Sequence, residues 1–156
     1  MNFSFWMVGK TNSLEFKDWE NDFSKRLNSF INFNVETIDN IKHLKDAEII
    51  KLEESKKILS KLKKEDHLIL LDEKGKSYTS RAFAESIQKL LNISGSKRII
   101  FLVGGAFGFH SSVYDRADGK IALSEMTFSH QLIRLIFMEQ LYRAFAIINN
   151  HPYHNE

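Results

Sequence analysis

An α/β fold, a mostly parallel sheet with helices on both faces, is predicted by three features of this 156-residue chain. The first is a set of apolar runs of strand length: "FSFWMVG" (3–9), "HLILLD" (67–72) and "RIIFLVGG" (98–105). The two later runs do not alternate, which is the pattern of strands covered on both sides. The second is that segments with apolar residues at steps of three to five separate these runs, so strands and helices alternate and right-handed crossovers follow. The third is size: 18.2 kDa with 43% apolar and 27% charged residues suits one core that buries roughly 70% of the unfolded chain's surface. No repeat, low-complexity tract or linker interrupts the sequence, and 1–156 reads as a single domain.

The elements follow in order. The opening run 3–9 ends at a glycine and reads as a strand closed by a turn. Leu14, Trp19, Phe23, Leu27 and Phe30 then form one apolar stripe, predicting a helix over 14–30. "FNVETI" (33–38) alternates like a half-buried strand. Ala47 to Lys64 carries Ile50, Ile58, Leu59 and Leu62 among many lysines, so a helix with a wet, basic face is expected. The run 67–72 should end in a tight turn at "DEKGK". Ser80 is placed to cap a helix reaching about Leu91, with Phe83, Ile87, Leu90 and Leu91 inward, and "SGS" (94–96) should end it. After the strand 98–105 come a brief helical piece near 111–117, a short strand at 120–124 and a long helix over 129–149, capped by Ser129. Its apolar face is wider than one core needs.

Composition removes several function classes. There are no cysteines, so neither disulfides nor thiolate metal sites are available, and a reducing compartment is the natural setting. His151 and His154 lie three apart without suitable partners, so no metal is expected. The longest apolar stretch, 99–109, is far short of the roughly 20 residues of a membrane span. "MNFSFWMVGK" turns apolar before any basic residue, the wrong order for a secretory signal, and a cytoplasmic protein is expected. With 22 Lys plus Arg against 20 Asp plus Glu, bulk charge does not announce nucleic acid.

Three stretches could carry chemistry. "GGAFG" (104–108) sits at the carboxyl end of a central strand, where ligands of open α/β sheets bind, and glycine lets a ligand approach the main chain. It is neither a Walker loop nor G-x-G-x-x-G, although Glu125 lies where a ribose-binding acid could sit. "SEMTFSHQLIR" (124–134) turns a strand end into a helix through polar residues. "EQLYRAFAIINNHPYHNE" ends the chain with Arg143, Tyr142, two histidines, Tyr153 and the single proline. On these residues alone, a nucleotide-binding oxidoreductase using "GGAFG" and a non-catalytic dimeric RNA-binding module remain open.

Taken together, "FLVGGAFGF", "LSEMTFSHQLIRLIFMEQLYRAF" and "HPYHNE" resemble, in order and spacing, the RlmH family of bacterial large-subunit ribosomal RNA pseudouridine N3-methyltransferases, of the knotted SPOUT class. The resemblance implies a C-terminal trefoil knot holding S-adenosylmethionine, and a homodimer whose long C-terminal helices pack together. By position it implies a cofactor pocket of Leu71, Gly104, Gly105, Ser124, Glu125, Met126, Thr127, Phe128 and Ser129. It makes Arg143, Tyr153 and His154 the RNA-facing, catalytic groups, the tail of one protomer closing the other's site. The implied substrate is pseudouridine in 23S ribosomal RNA, within the large subunit or whole ribosome. Two positions depart from the family, Ser129 for a proline and Asn155 for a basic residue. From 110 to 156 four basic residues face five acids, so phosphate contacts are expected from Lys42, Lys45, Lys51, Lys56, Lys57, Lys61, Lys63 and Lys64.

Overall fold

The computed structural model describes residues 1–93 and 98–155; the helix stop expected at "SGS" lies outside them. Ten elements alternate along the chain: β1 (Asn2–Val8), α1 (Leu14–Leu27), β2 (Asn32–Ile38), α2 (Ala47–Lys61), β3 (His67–Ser77), α3 (Ser80–Leu91), β4 (Arg98–Val103), α4 (Ser111–Arg116), β5 (Gly119–Ala122) and α5 (Leu132–Ile148). The sheet has five strands in the order β2-β1-β4-β3-β5, and every pairing is parallel.

Both faces are covered. One carries α1, α3 and α5 through Phe23, Leu27, Phe83, Ile87, Phe137 and Leu141, packed on Phe3, Phe5, Ile99 and Phe101. The other carries α2 and α4 through Ile58 and Val113, packed on Trp6, Leu68, Leu70, Ile100 and Leu102. The steps β1→β2 and β3→β4 run one way along the sheet over the first face. The steps β2→β3 and β4→β5 run the other way over the second. All four crossovers therefore share one hand, as parallel connections do.

Several expectations change at the level of elements. In α1 the stripe is buried only in its second half: Leu14 and Trp19 are 73% and 58% exposed. Thr79, not Ser80, caps α3 by accepting from Ala82 N at 3.1 Å, while the Ser80 hydroxyl donates to Gln140 at 2.8 Å. The polar "DEKGK" is no tight turn. β3 continues through it to Ser77 with a register shift between Leu71 and Lys76 against β5, and these residues look loop-like because they overhang the core at the sheet edge. Gly75 is required there, since a Cβ would lie 2.6 Å from the Ile121 main chain.

The wide apolar face of α5 is used within the chain. The helix lies between α1 and α3 on the sheet, and Leu135, Phe137, Met138, Leu141, Ala144 and Phe145 are all buried there. Its helical hydrogen bonding begins at Leu132, after a turn that Ser129 caps by accepting from Leu132 N at 3.1 Å. At its far end Asn150 adopts φ 54° and His151 N donates to Ala146 O at 2.8 Å. This left-handed stop reverses the chain, so the tail folds back along the helix it leaves.

Candidate active site

The carboxyl ends of β3 and β4 form a crevice because α3 leaves on one face and α4 on the other, the position where open α/β sheets bind ligands. A cavity of about 510 Å³ opens there. Its walls include Leu71, Gly104 and Gly105 from the strand ends, and Ser124, Met126, Thr127, Phe128 and Ser129 from the segment joining β5 to α5. Eight of the nine residues expected at a cofactor pocket thus meet in one cavity. The ninth, Glu125, is exposed in the same segment and does not line it.

Local bonds shape the walls. The Ser124 hydroxyl accepts from Met126 N at 2.9 Å and turns the loop back toward the sheet. Gly108, at φ 80°, closes the "GGAFG" turn by donating to Gly105 O at 3.2 Å; its conformation favours glycine. Gly104 is tight for space instead, whereas Gly105 could carry a Cβ at ordinary contact distances. A Cβ on Gly104 would lie 3.1 Å from the Phe109 ring, and one on Gly105 would lie 3.4 Å from the Glu54 carboxylate. At Gly104 the Phe109 ring takes up the volume that the missing side chain leaves.

The cavity has further lining residues that were not expected at a cofactor pocket, among them Asp72, Tyr114, His130 and Lys51, the last expected instead at phosphate. Tyr114 donates a short hydrogen bond to Asp72; burial, then this bond, pushes the phenol far above its ordinary range. Burial, then the Arg134 charge, holds the His130 imidazole below the usual histidine value. Arg134 is fully buried and donates to Val8 O at 2.9 Å and Thr11 Oγ1 at 3.0 Å. It pins the start of α5, and hence the cavity wall before it, to the end of β1. No signal marked Asp72 or Tyr114, because their elements converge only in the fold. His130 lies within a stretch already singled out and could have been noticed there.

Arg143, Tyr153 and His154 gather elsewhere. Arg143 donates to Glu139 through Nε at 3.1 Å and through Nη2 at 2.5 Å. Its Nη1 lies 3.1 Å from His154 Nδ1, and since guanidinium only donates, Nδ1 accepts. The Tyr153 hydroxyl donates to Glu139 at 3.0 Å, its ring meets Tyr142 edge-on at 4.7 Å, and the Arg143 guanidinium lies 4.9 Å above it. Burial first, then Glu139, raises the Tyr153 phenol. Arg143 is ten residues along α5 from Ile133 in the cavity wall, about 15 Å at 1.5 Å per residue. Within one chain, cavity and tail are therefore separate.

The sequence comparisons match this arrangement. The family model described as "Predicted SPOUT methyltransferase" matches residues 1–154. The chain belongs to the SPOUT methyltransferase family. It is similar along its full length to a "Ribosomal RNA large subunit methyltransferase H" of Flavobacterium johnsoniae, 46% identical with 100% of both chains covered. Proteins of the same name from Christiangramia forsetii and Parabacteroides distasonis are 48% and 46% identical, with 95% and 96% of each chain covered. Membership in the SPOUT family makes the chain a methyltransferase and displaces the oxidoreductase reading. Among the described residues no helix is long and apolar enough to cross a membrane, and no cluster of three His, Cys, Asp or Glu could hold a metal.

Proposed function

We propose that this protein is a cytoplasmic, S-adenosylmethionine-dependent methyltransferase acting on N3 of a pseudouridine in 23S ribosomal RNA, on the large subunit or assembled ribosome. The whole chain works as one domain. The observation that carries the reading is the strand-end cavity assembled by eight of the nine expected residues, in a chain so similar to proteins named for large-subunit RNA methylation.

The cavity suits such a cofactor. Its volume falls within the roughly 300–1,000 Å³ of small-molecule sites. Leu71, Ile121 and Leu123 supply apolar surface for a purine, the 124–129 segment adds polar main chain, and Asp72 supplies negative charge toward a cationic ligand. Bound there, S-adenosylmethionine would supply an activated methyl group on a sulfonium. The protein's task is then to hold N3 in line with that group, and positioning of this kind contributes up to about 7–11 kcal/mol.

The N3 proton must also leave. His130 lines the cavity and is kept neutral at cytoplasmic pH by its lowered pKa, so one ring nitrogen can accept a proton. Two groups of the tail are less suited. His154 Nδ1 already accepts from Arg143, and the raised pKa of Tyr153 opposes a phenolate. The tail serves better as an RNA-facing surface, since unstacked bases lie on aromatic and guanidinium planes. In the homodimer we infer, with the cofactor segment threaded as a trefoil knot, Arg143, Tyr153 and His154 of one protomer face the cavity of the other.

Mass spectrometry of 23S ribosomal RNA from cells lacking the protein tests the reading. One pseudouridine should lose a methyl group, and purified protein with S-adenosylmethionine should restore it on those ribosomes. An unchanged methylation pattern would refute it. Calorimetry should show binding of S-adenosylmethionine and none of NAD or FMN.

A further inference from the structure

We propose that the concavity formed by Lys10, Lys42, His43 and Lys57 beside the cofactor cavity seats the phosphate backbone of the RNA; this rests on the RNA methyltransferase reading above. The fold sorts the lysines that sequence alone left equivalent. Lys61, the last residue of α2, faces Glu36 at 3.8 Å, and Lys63 and Lys64 follow it at the amino-terminal edge of the sheet, away from the cavity. Lys56 is paired with Glu53 and Lys51 with Glu48, both at 2.9 Å. Lys45 lies outside the basic concavity, whereas Lys42 and Lys57 line it together with Lys10, which was not among the expected lysines. Lys10, Lys42, His43 and Lys57 line one concavity of about 410 Å³ with Asp39 as its single carboxylate. Among the described residues none of these three lysines forms an ion pair; Lys57 donates to the Asp39 main-chain oxygen at 3.2 Å, and its charge also acts on the buried Glu54 carboxyl.

This concavity shares its supports with the cofactor cavity. On α2, Lys51 lines the main cavity, Lys57 lines the basic one, and buried Glu54 lies between them against Gly105. The Glu54 carboxylate accepts from the Ile41 main chain, which ties the loop carrying Lys42 and His43 to the "GGAFG" turn. The loop carrying Lys10 is fastened from the other side. Gln131, just before α5, donates to Lys10 O at 3.0 Å and accepts from Asn12 N at 2.9 Å. Both basic loops are thus held in place by residues adjoining the cavity wall, Glu54 against Gly105 and Gln131 beside His130. A nucleotide whose base enters that cavity carries its phosphates with it, and the cations on the loops that follow β1 and β2 stand at the same carboxyl edge of the sheet to meet them.

The test measures binding of the full-length protein to ribosomes from cells lacking it, across a salt series, for Lys10→Glu/Lys42→Glu and for Lys64→Glu/Lys89→Glu. Both pairs change net charge equally at exposed sites, but the second lies at the far ends of α2 and α3. The first pair should weaken binding tenfold or more and flatten the log–log salt slope by about 0.7 per lost phosphate contact. The second should stay within about twofold, and S-adenosylmethionine affinity should be unchanged in both. Equal losses in the two pairs, or an unchanged slope in the first, would overturn the phosphate seat while wild-type methylation upholds the parent reading. A wild-type protein that binds no ribosome would end both.

Discussion

Two titratable side chains near the cavity, His130 and Glu54, have their protonation set by burial in opposite directions. His130 must be neutral to accept a proton, and its pKa lies below the ordinary value of about 6.5. The rate under saturating substrate should therefore rise with pH through a point below 6.5 and be level above it. His130→Ala should abolish that acidic limb and lower the rate by about 10²-fold or more; a retained limb would assign it to another group. Glu54 is raised mainly by desolvation, with Lys57 opposing. Its native state holds the proton more tightly than the unfolded chain, so stability falls as pH rises from about 4.3 through the raised value. Glu54→Gln keeps an oxygen for Ile41 N and removes this slope. Its melting temperature should gain on the wild type between about pH 4 and pH 7, and a gap independent of pH would contradict the burial argument.

The decisive element is α5, because it both fills the core and carries the two chemical ends of the molecule. Phe137 is fully buried, 4.6 Å from the Phe5 ring and 4.9 Å from the Phe101 ring by centroids. Phe137→Ala should cost about 3–5 kcal/mol in urea unfolding. Leu132, on the same helix but 37% exposed, should cost under about 1 kcal/mol on the same change. Similar losses at the two positions would mean that α5 is covered by something outside the chain. The burial of its wide face also bears on the dimer that the family resemblance implies: packing of the long helices together was to account for that width, yet α1, α3 and the sheet absorb it within one protomer.

For the whole molecule, the separation of cavity and tail is what a single chain shows, and a composite site between protomers is what the proposed dimer requires. Ser124→Trp would fill the cavity, and an Arg143→Ala/His154→Ala chain would lack the RNA-facing groups. Each should be inactive alone. Mixed and allowed to exchange subunits, they should recover activity, since one site in each mixed dimer would combine an intact cavity with an intact tail. Failure to recover, with exchange verified by native mass spectrometry, would place the tail in its own chain's site.

The strands, the helices and their alternation were legible because their signals are local: uninterrupted apolar runs at 67–72 and 98–105, and helical spacing between them. The "GGAFG" turn and the 124–129 segment were legible because their residue types are unusual where they stand. What the sequence by itself determined was thus the α/β class, and, through motifs collinear with a known family, eight of the residues that line the cavity. Only the tertiary structure decided that "DEKGK" extends a strand, that Leu14 and Trp19 stay outside, and that Lys10, Lys42 and Lys57 stand together while Lys64 does not. Those outcomes depend on contacts between residues tens of positions apart, and a local pattern carries no information about which distant surface will be there to meet it.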